Sequence, residues 1–161
     1  MSESPGATPN VALGTVSSAL PDATPGAFVT THRLRFNDTD RLGHVNNAVF
    51  AAMLEQGRLD LALAAGLPMG EAGLALVIVR LELDFVHEMT WPGEVCIETE
   101  VVRLGGKSLT VRQRLVSGGE LCARASTVLV VMDRAARRAV PLEPAWRDAL
   151  VRWTADEAAG A

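Results

Sequence analysis

Between residues 38 and 47 the chain reads Asp-Thr-Asp-Arg-Leu-Gly-His-Val-Asn-Asn, which gathers two carboxylates, an imidazole and two amides into one short stretch. Asp40 and His44 stand four positions apart, and Gly43 beside His44 permits a turn that a β-carbon could block. Apolar residues then recur at helical spacing, so the cluster sits just ahead of a helix with Asn46 or Asn47 as its cap. The first N–H groups of a helix have no partner inside it and carry partial positive charge, which suits a developing oxyanion. A carboxylate beside such a terminus can attack an acyl carbon or take a proton from a water that does. These residue types at this spacing suggest acyl transfer or hydrolysis.

Each of these residues also has a plainer role. Asp40 can cap a turn or the helix, and Asp38 suits hydrogen bonding within the turn. His44 either shares in the chemistry or holds the loop through its backbone. Asn46 and Asn47 cap first and recognise a ligand second. His32 and His87 lie in strand-like stretches with no carboxylate motif around them and read as structural. Glu55 and Arg58 are one helical turn apart and read as an ion pair at a subunit interface.

The elements that must position the cluster follow from periodicity. Phe28, Thr30, His32, Leu34 and Phe36 alternate with wetter residues and predict a strand. The helix runs from Asn46 or Asn47 to about Ala65, with Phe50, Leu54, Gly57 and Leu61 on one stripe and Glu55 and Arg58 opposite. Gly57 within that stripe is costly for a helix and implies close approach to a sheet. Gly66 and Pro68 stop it. Strands are predicted over Leu74–Phe85, Val95–Arg103, Ser108–Val116 and Leu121–Asp133, separated by short turns holding Gly93, Gly105-Gly106 and Gly118-Gly119. Such turns join antiparallel neighbours, not crossovers. Pro144 to Trp153 reads as a closing helix. A single sheet must bury its apolar face, and the central helix is the only large object on offer. The expectation is a curved, antiparallel five-stranded sheet wrapped around one long helix. Residues 1–26 read as a disordered leader, 27–155 as the domain and 156–161 as a flexible tail.

Composition removes whole classes of function. At 161 residues, 48% hydrophobic and 21% charged, the chain is neither disordered nor larger than one domain. No apolar run approaches the roughly 20 residues of a membrane span. Fifteen basic against nineteen acidic residues, net −4, argues against nucleic acid. Cys96 and Cys122 form no CxxC or His/Cys cluster, so neither a zinc site nor a disulfide framework is expected, and a reducing cytoplasm suits both. With no tyrosine in the chain, the chemistry must come from carboxylates, histidines, hydroxyls or backbone.

The stretch from Arg35 to Arg58, with DTD, GHVNN and EQGR, resembles the 4-hydroxybenzoyl-CoA thioesterase-like branch of the hotdog superfamily. Leu83-Asp84-Phe85, Pro92-Gly93-Glu94 and Gly106-Lys107-Ser108-Leu109 fit as well, so the likeness runs from about Val29 to Trp146. The resemblance implies a hotdog fold and hydrolysis of an acyl- or aroyl-CoA thioester with no cofactor or metal. It implies that Asp40 is the catalytic carboxylate and that Gly43, Val45, Asn46 and Asn47 form the oxyanion-holding helix entry. Plant acyl-carrier-protein thioesterases share a similar D-x-x-x-H-V-N-N string in which both the aspartate and the histidine are functional, matching Asp40 and His44. Their catalytic asparagine is Leu42 here. Lys107 and Arg138 match basic residues near the coenzyme A phosphates. The tunnel walls are expected to include Phe50, Met53 and Leu54. Family members pair into homodimers and often tetramers, with the site at the seam and no membrane or nucleic-acid partner. A non-catalytic acyl-CoA sensor and a hydroxyacyl-thioester dehydratase on the same fold are the alternatives, the latter kept open by Glu55.

Overall fold

The computed structural model describes residues 24–67 and 73–154. The leader expected at 1–26, apart from 24–26, and the tail expected at 156–161 lie outside them. Strand β1 (Phe28–Arg33) leads through one 3-10 turn (Phe36–Asp38) to helix α1 (Asn47–Ala64). Strands β2 (Leu74–Phe85), β3 (Glu94–Leu104), β4 (Ser108–Ser117), β5 (Glu120–Asp133) and β6 (Arg138–Ala139) follow, and α2 (Pro144–Val151) closes the described chain. The strands form one antiparallel sheet in the order β1-β3-β4-β5-β2, with β6 on β5. The expected five strands are present, and the two-residue β6 makes a sixth. It arises where Arg134 to Arg137 turn the chain back on β5, so that Val140 N–H bonds Val131 O.

Alternation along β3 decides which face meets the helix. Val95 and Ile97 are fully buried with Phe50, Met53 and Leu54 of α1 in one cluster. Glu98 points the other way and is 2% exposed. A buried charge is tolerated only when paired, and Glu98 Oε2 accepts from Arg114 Nη1 at 2.9 Å and from Thr24 Oγ1 at 3.0 Å. A second cluster joins Leu61 and Ala62 of α1 to Val101, Leu109, Trp146 and Leu150, the last two from α2.

Gly57 explains how closely α1 lies on the sheet. A β-carbon there would stand 2.6 Å from Ile97 Cγ2 and 3.0 Å from Gln113 Nε2. Gln113 uses the space to bond the Leu54 carbonyl at 2.9 Å and Thr99 Oγ1 at 3.1 Å.

Two expectations for this helix change. Arg58 is buried instead of lying opposite the apolar stripe, because it is four residues beyond Leu54 and three before Leu61 and shares their side. It donates to Gln113 Oε1 at 2.9 Å, and among the described residues of one chain Glu55 makes no ion pair with it. Phe50 and Leu54 are buried in the core cluster, and Phe50 packs edge-on against Phe85 at 5.3 Å.

The loop ahead of α1 belongs to one end of the sheet. Leu34 N–H bonds Gly93 O at the start of β3, and Val45 N–H bonds Met89 O. The β3–β4 hairpin and β6 occupy the other end, at Leu104–Ser108 and beside Asp133.

Candidate active site

Asp40 lies in a small closed loop. Its N–H bonds the His44 carbonyl at 2.8 Å, and its own carbonyl accepts from Gly43 N–H at 3.1 Å. Gly43 has a φ of +85°, in the left-handed region that favours glycine. The Asp40 carboxylate is exposed, and Oδ1 accepts the Leu42 N–H at 2.8 Å. The plainer turn-capping role is thus real, and it also fixes the carboxylate against its own loop.

Asp38 behaves differently. It is buried, and both of its oxygens are taken by Arg35: the backbone N–H at 2.7 Å and the guanidinium at 3.0 Å. Burial alone would raise its pKa, but these Arg35 donors hold the carboxyl below its ordinary value. Its carbonyl accepts the Asn46 N–H at 2.8 Å, so Asp38 anchors the helix entry.

Asn46 caps α1, its side chain accepting from Ala48 N–H at 2.9 Å. The Val49 N–H bonds the Asn46 carbonyl at 2.8 Å, and Val45, in the core, gives its N–H to Met89 O. Among the described residues no acceptor meets the Asn47 N–H. That leaves one backbone donor open at the positive end of an 18-residue helix.

His44 adds a contact that the sequence does not announce. Its backbone pairs with Thr90, and its Nδ1 lies 3.2 Å from Glu88 Oε2. Nothing in the spacing links residues 44 positions apart. Glu88 reaches His44 because residues diagonal to a bridged pair are neighbours.

Lys107 and Arg138 are both exposed, and the structure does not bring them to Asp40 within one chain. They share the far end of the sheet, separated from the loop by the length of β3, roughly 30 Å.

A cavity of about 380 Å³ opens beside the first turns of α1, lined among others by His32, Arg35, Asp38, Val49, Met53 and Gln56. His32, expected to be merely structural, lies 3.2 Å from Asp60 of α1. The Gln56–Asp60 bond at 2.7 Å was legible as an i,i+4 pair, whereas its meeting with His32 was not. On the other flank of α1 a groove of about 350 Å³ runs toward β2, lined by Glu55, Arg58, Leu59, Leu76 and Ile78. Burial pushes the Arg58 pKa down, partly offset by the charge on Glu55. Burial likewise raises both thiols, Cys96 and Cys122, so neither is an activated nucleophile. Among the described residues, no three or more His, Cys, Asp or Glu converge as metal ligands, and no helix is long and apolar enough to cross a membrane.

A family model described as the thioesterase-like superfamily matches residues 34–150. Among solved structures, a predicted thioesterase from Bacillus stearothermophilus is 28% identical with a TM-score of 0.72, over 80% of this chain and 96% of that one. A thioesterase complexed with coenzyme A and zinc from Thermus thermophilus is 29% identical with a TM-score of 0.67, over 78% and 91%. The DHNA-CoA thioesterase of Staphylococcus aureus, at 21% identity and a TM-score of 0.72 over 78% and 89%, shares the fold. No curated protein matches.

Proposed function

The chain belongs to the thioesterase-like superfamily, which makes it a thioester hydrolase, and we propose that it cleaves an acyl- or aroyl-CoA to the free acid and coenzyme A. The observation that carries the reading is an exposed Asp40 carboxylate in a stapled loop that runs directly into α1, whose first residue, Asn47, keeps its N–H open. The thioester carbonyl sits at the N-terminus of α1, where Asn47 N–H, backed by the helix, holds the oxyanion. Asp40, directly or through a water, supplies the oxygen that attacks the carbonyl carbon. By the direct route the C–S bond breaks as an acyl-Asp40 anhydride forms, and a water then hydrolyses that anhydride. By the water route Asp40 takes the water's proton as the C–O bond forms and passes it to the departing thiolate. Either way one water is consumed, and the free acid and the thiol are released. Gly43, Val45 and Asn46 hold this geometry. His44, fixed by Glu88, orients the carbonyl or the water.

The domain is assigned to residues 27–155; among its described residues the sheet closes around α1 in the hotdog manner, and a second copy completes the site. Two facts support that copy. The edge strand β2 exposes Ile78 and Val79, at 42% and 59%, beside the groove that holds the buried Arg58. Lys107 and Arg138 lie too far from Asp40 to serve it in one chain, and an antiparallel partner brings its far end to this near end. In that arrangement the partner's Lys107 and Arg138 meet the coenzyme A phosphates. Two free thiols, Cys96 and Cys122, suit a reducing cytoplasm.

Thiol release measured over a panel of acyl-CoAs tests the reading. Release by the wild type and its loss in Asp40→Asn supports it. Binding without release points to the sensor, and a hydrated or dehydrated acyl-CoA without thiol points to the dehydratase. Either outcome overturns hydrolysis.

A further inference from the structure

The 380 Å³ cavity beside α1 ends in a constellation that hydrolysis does not use. Asp60 Oδ2 lies 3.2 Å from His32 Nε2, and Asp60 Oδ1 accepts from Gln56 Nε2 at 2.7 Å. One carboxylate therefore holds a ring from β1 and an amide from α1. An ionised carboxylate only accepts, so it dictates the state of both partners. Gln56 must turn its NH₂ to Asp60, which leaves its carbonyl oxygen for a ligand. His32 must carry its proton on Nε2, and in the neutral ring Nδ1 is then a bare acceptor. Both residues line the cavity, and with the ring neutral what each has left to offer accepts hydrogen bonds.

The other end of the cavity reaches the chemistry. It is lined by Asp38, whose carbonyl holds the Asn46 N–H, and by Val49 in the first turn of α1. Between the two ends the wall is Ala52 and Met53. From Val49 to Gln56 the helix rises about 10 Å. An acyl group leaving the helix terminus along this wall crosses apolar surface and then meets two acceptors. Arg33 and Arg35 also line the cavity, their guanidiniums already paired with Glu94 and Asp38, so a neutral hydroxyl is a donor that fits there without a further counter-charge.

We propose that this cavity is the acyl subsite and that it selects straight-chain acyl groups bearing a hydroxyl about 10 Å from the thioester carbonyl. His32 and Gln56 recognise the hydroxyl, and Asp60 positions both. The assignment rests on the reading of the chain as an acyl-CoA hydrolase. A chain without the hydroxyl covers both acceptors and leaves them unpaired, which is where discrimination arises.

Matched pairs of ω-hydroxylated and unsubstituted acyl-CoAs of increasing length test it through thiol release. At the length that reaches Gln56, the hydroxylated member is favoured by at least about tenfold in kcat/KM, and shorter pairs show no preference. Gln56→Leu and His32→Phe each pull that ratio toward one. Asp60→Asn also lowers it, because an amide no longer accepts from both partners, and simple loss of packing would not change a ratio between two substrates. Calorimetry on the wild type, comparing the free ω-hydroxy acid with the fatty acid of equal length, needs no variant and shows tighter binding of the former. Turnover without preference at any length, equal binding of the two acids, or an unchanged ratio in folded Gln56→Leu overturns the subsite and leaves hydrolysis standing. No thiol release from any acyl-CoA overturns hydrolysis and this subsite with it.

Discussion

The Nδ1 atom of His44 lies 3.2 Å from Oε2 of Glu88, tying the loop ahead of α1 to the segment that joins β2 to β3. An imidazole held at Nδ1 has its Nε2 fixed in direction and tautomer, and that is the atom left to act. Both side chains are partly exposed, so the pair adds little to stability and its value lies in orientation. His44→Ala is expected to lower kcat by about tenfold and Glu88→Gln by less, with the double variant no worse than His44→Ala. Strictly additive losses in kcat would show that Glu88 does not act through His44.

Asp40→Asn keeps an oxygen to accept the Leu42 N–H, so the turn survives and only the charge goes. The expected result is a fall in kcat of at least about 10²-fold with KM little changed. Near-full turnover at an unchanged melting temperature would remove Asp40 from the mechanism and turn attention to Glu55.

Asp38→Asn is expected to cost stability instead of chemistry, on the order of 1–3 kcal/mol for the disturbed Arg35 bonds. The Asp38 pKa is depressed in the folded protein. Its ionised form therefore adds stability above the ordinary carboxylate pKa of about 3.9, and that stability is lost as the pH falls through the folded value. Melting curves between about pH 7 and pH 2 should fall more steeply for the wild type than for the variant. Parallel curves would contradict the linkage.

For Gly57→Ala two effects compete. Alanine gains about 1 kcal/mol in helix propensity, while a β-carbon 2.6 Å from Ile97 Cγ2 forces repacking that costs about 1–3 kcal/mol. The clash should win, because the Ile97 side chain is fully buried and has nowhere to move. Chemical denaturation showing a more stable variant would mean the helix can lift from the sheet at little cost.

At micromolar concentration the protein is expected to sediment as at least a dimer. Val79→Lys puts a charge on the exposed β2 edge and should shift it toward monomer while lowering kcat. A monomeric wild type with full turnover would end the shared-site model.

Local chemistry was legible from the sequence wherever neighbours in space are neighbours in the chain. The succession of strands β2 to β5, the glycine turns between them, the Asn46 cap and the need for glycine at position 57 all follow from local sequence patterns and from backbone sterics. The loop carrying Asp40 and His44 was readable for the same reason, since its bonds close within a few residues. Only the tertiary structure decided the rest. Arg58 is buried because Gln113, 55 residues away, offers it an oxygen. His44 meets Glu88 across a bridge between separate segments, and His32 meets Asp60 because β1 packs along α1. Lys107 stands a strand's length from Asp40 because the loop ahead of α1 and the β3–β4 hairpin lie at opposite ends of β3. Such long-range meetings depend on register and on which faces pack together, and no one-dimensional spacing encodes them.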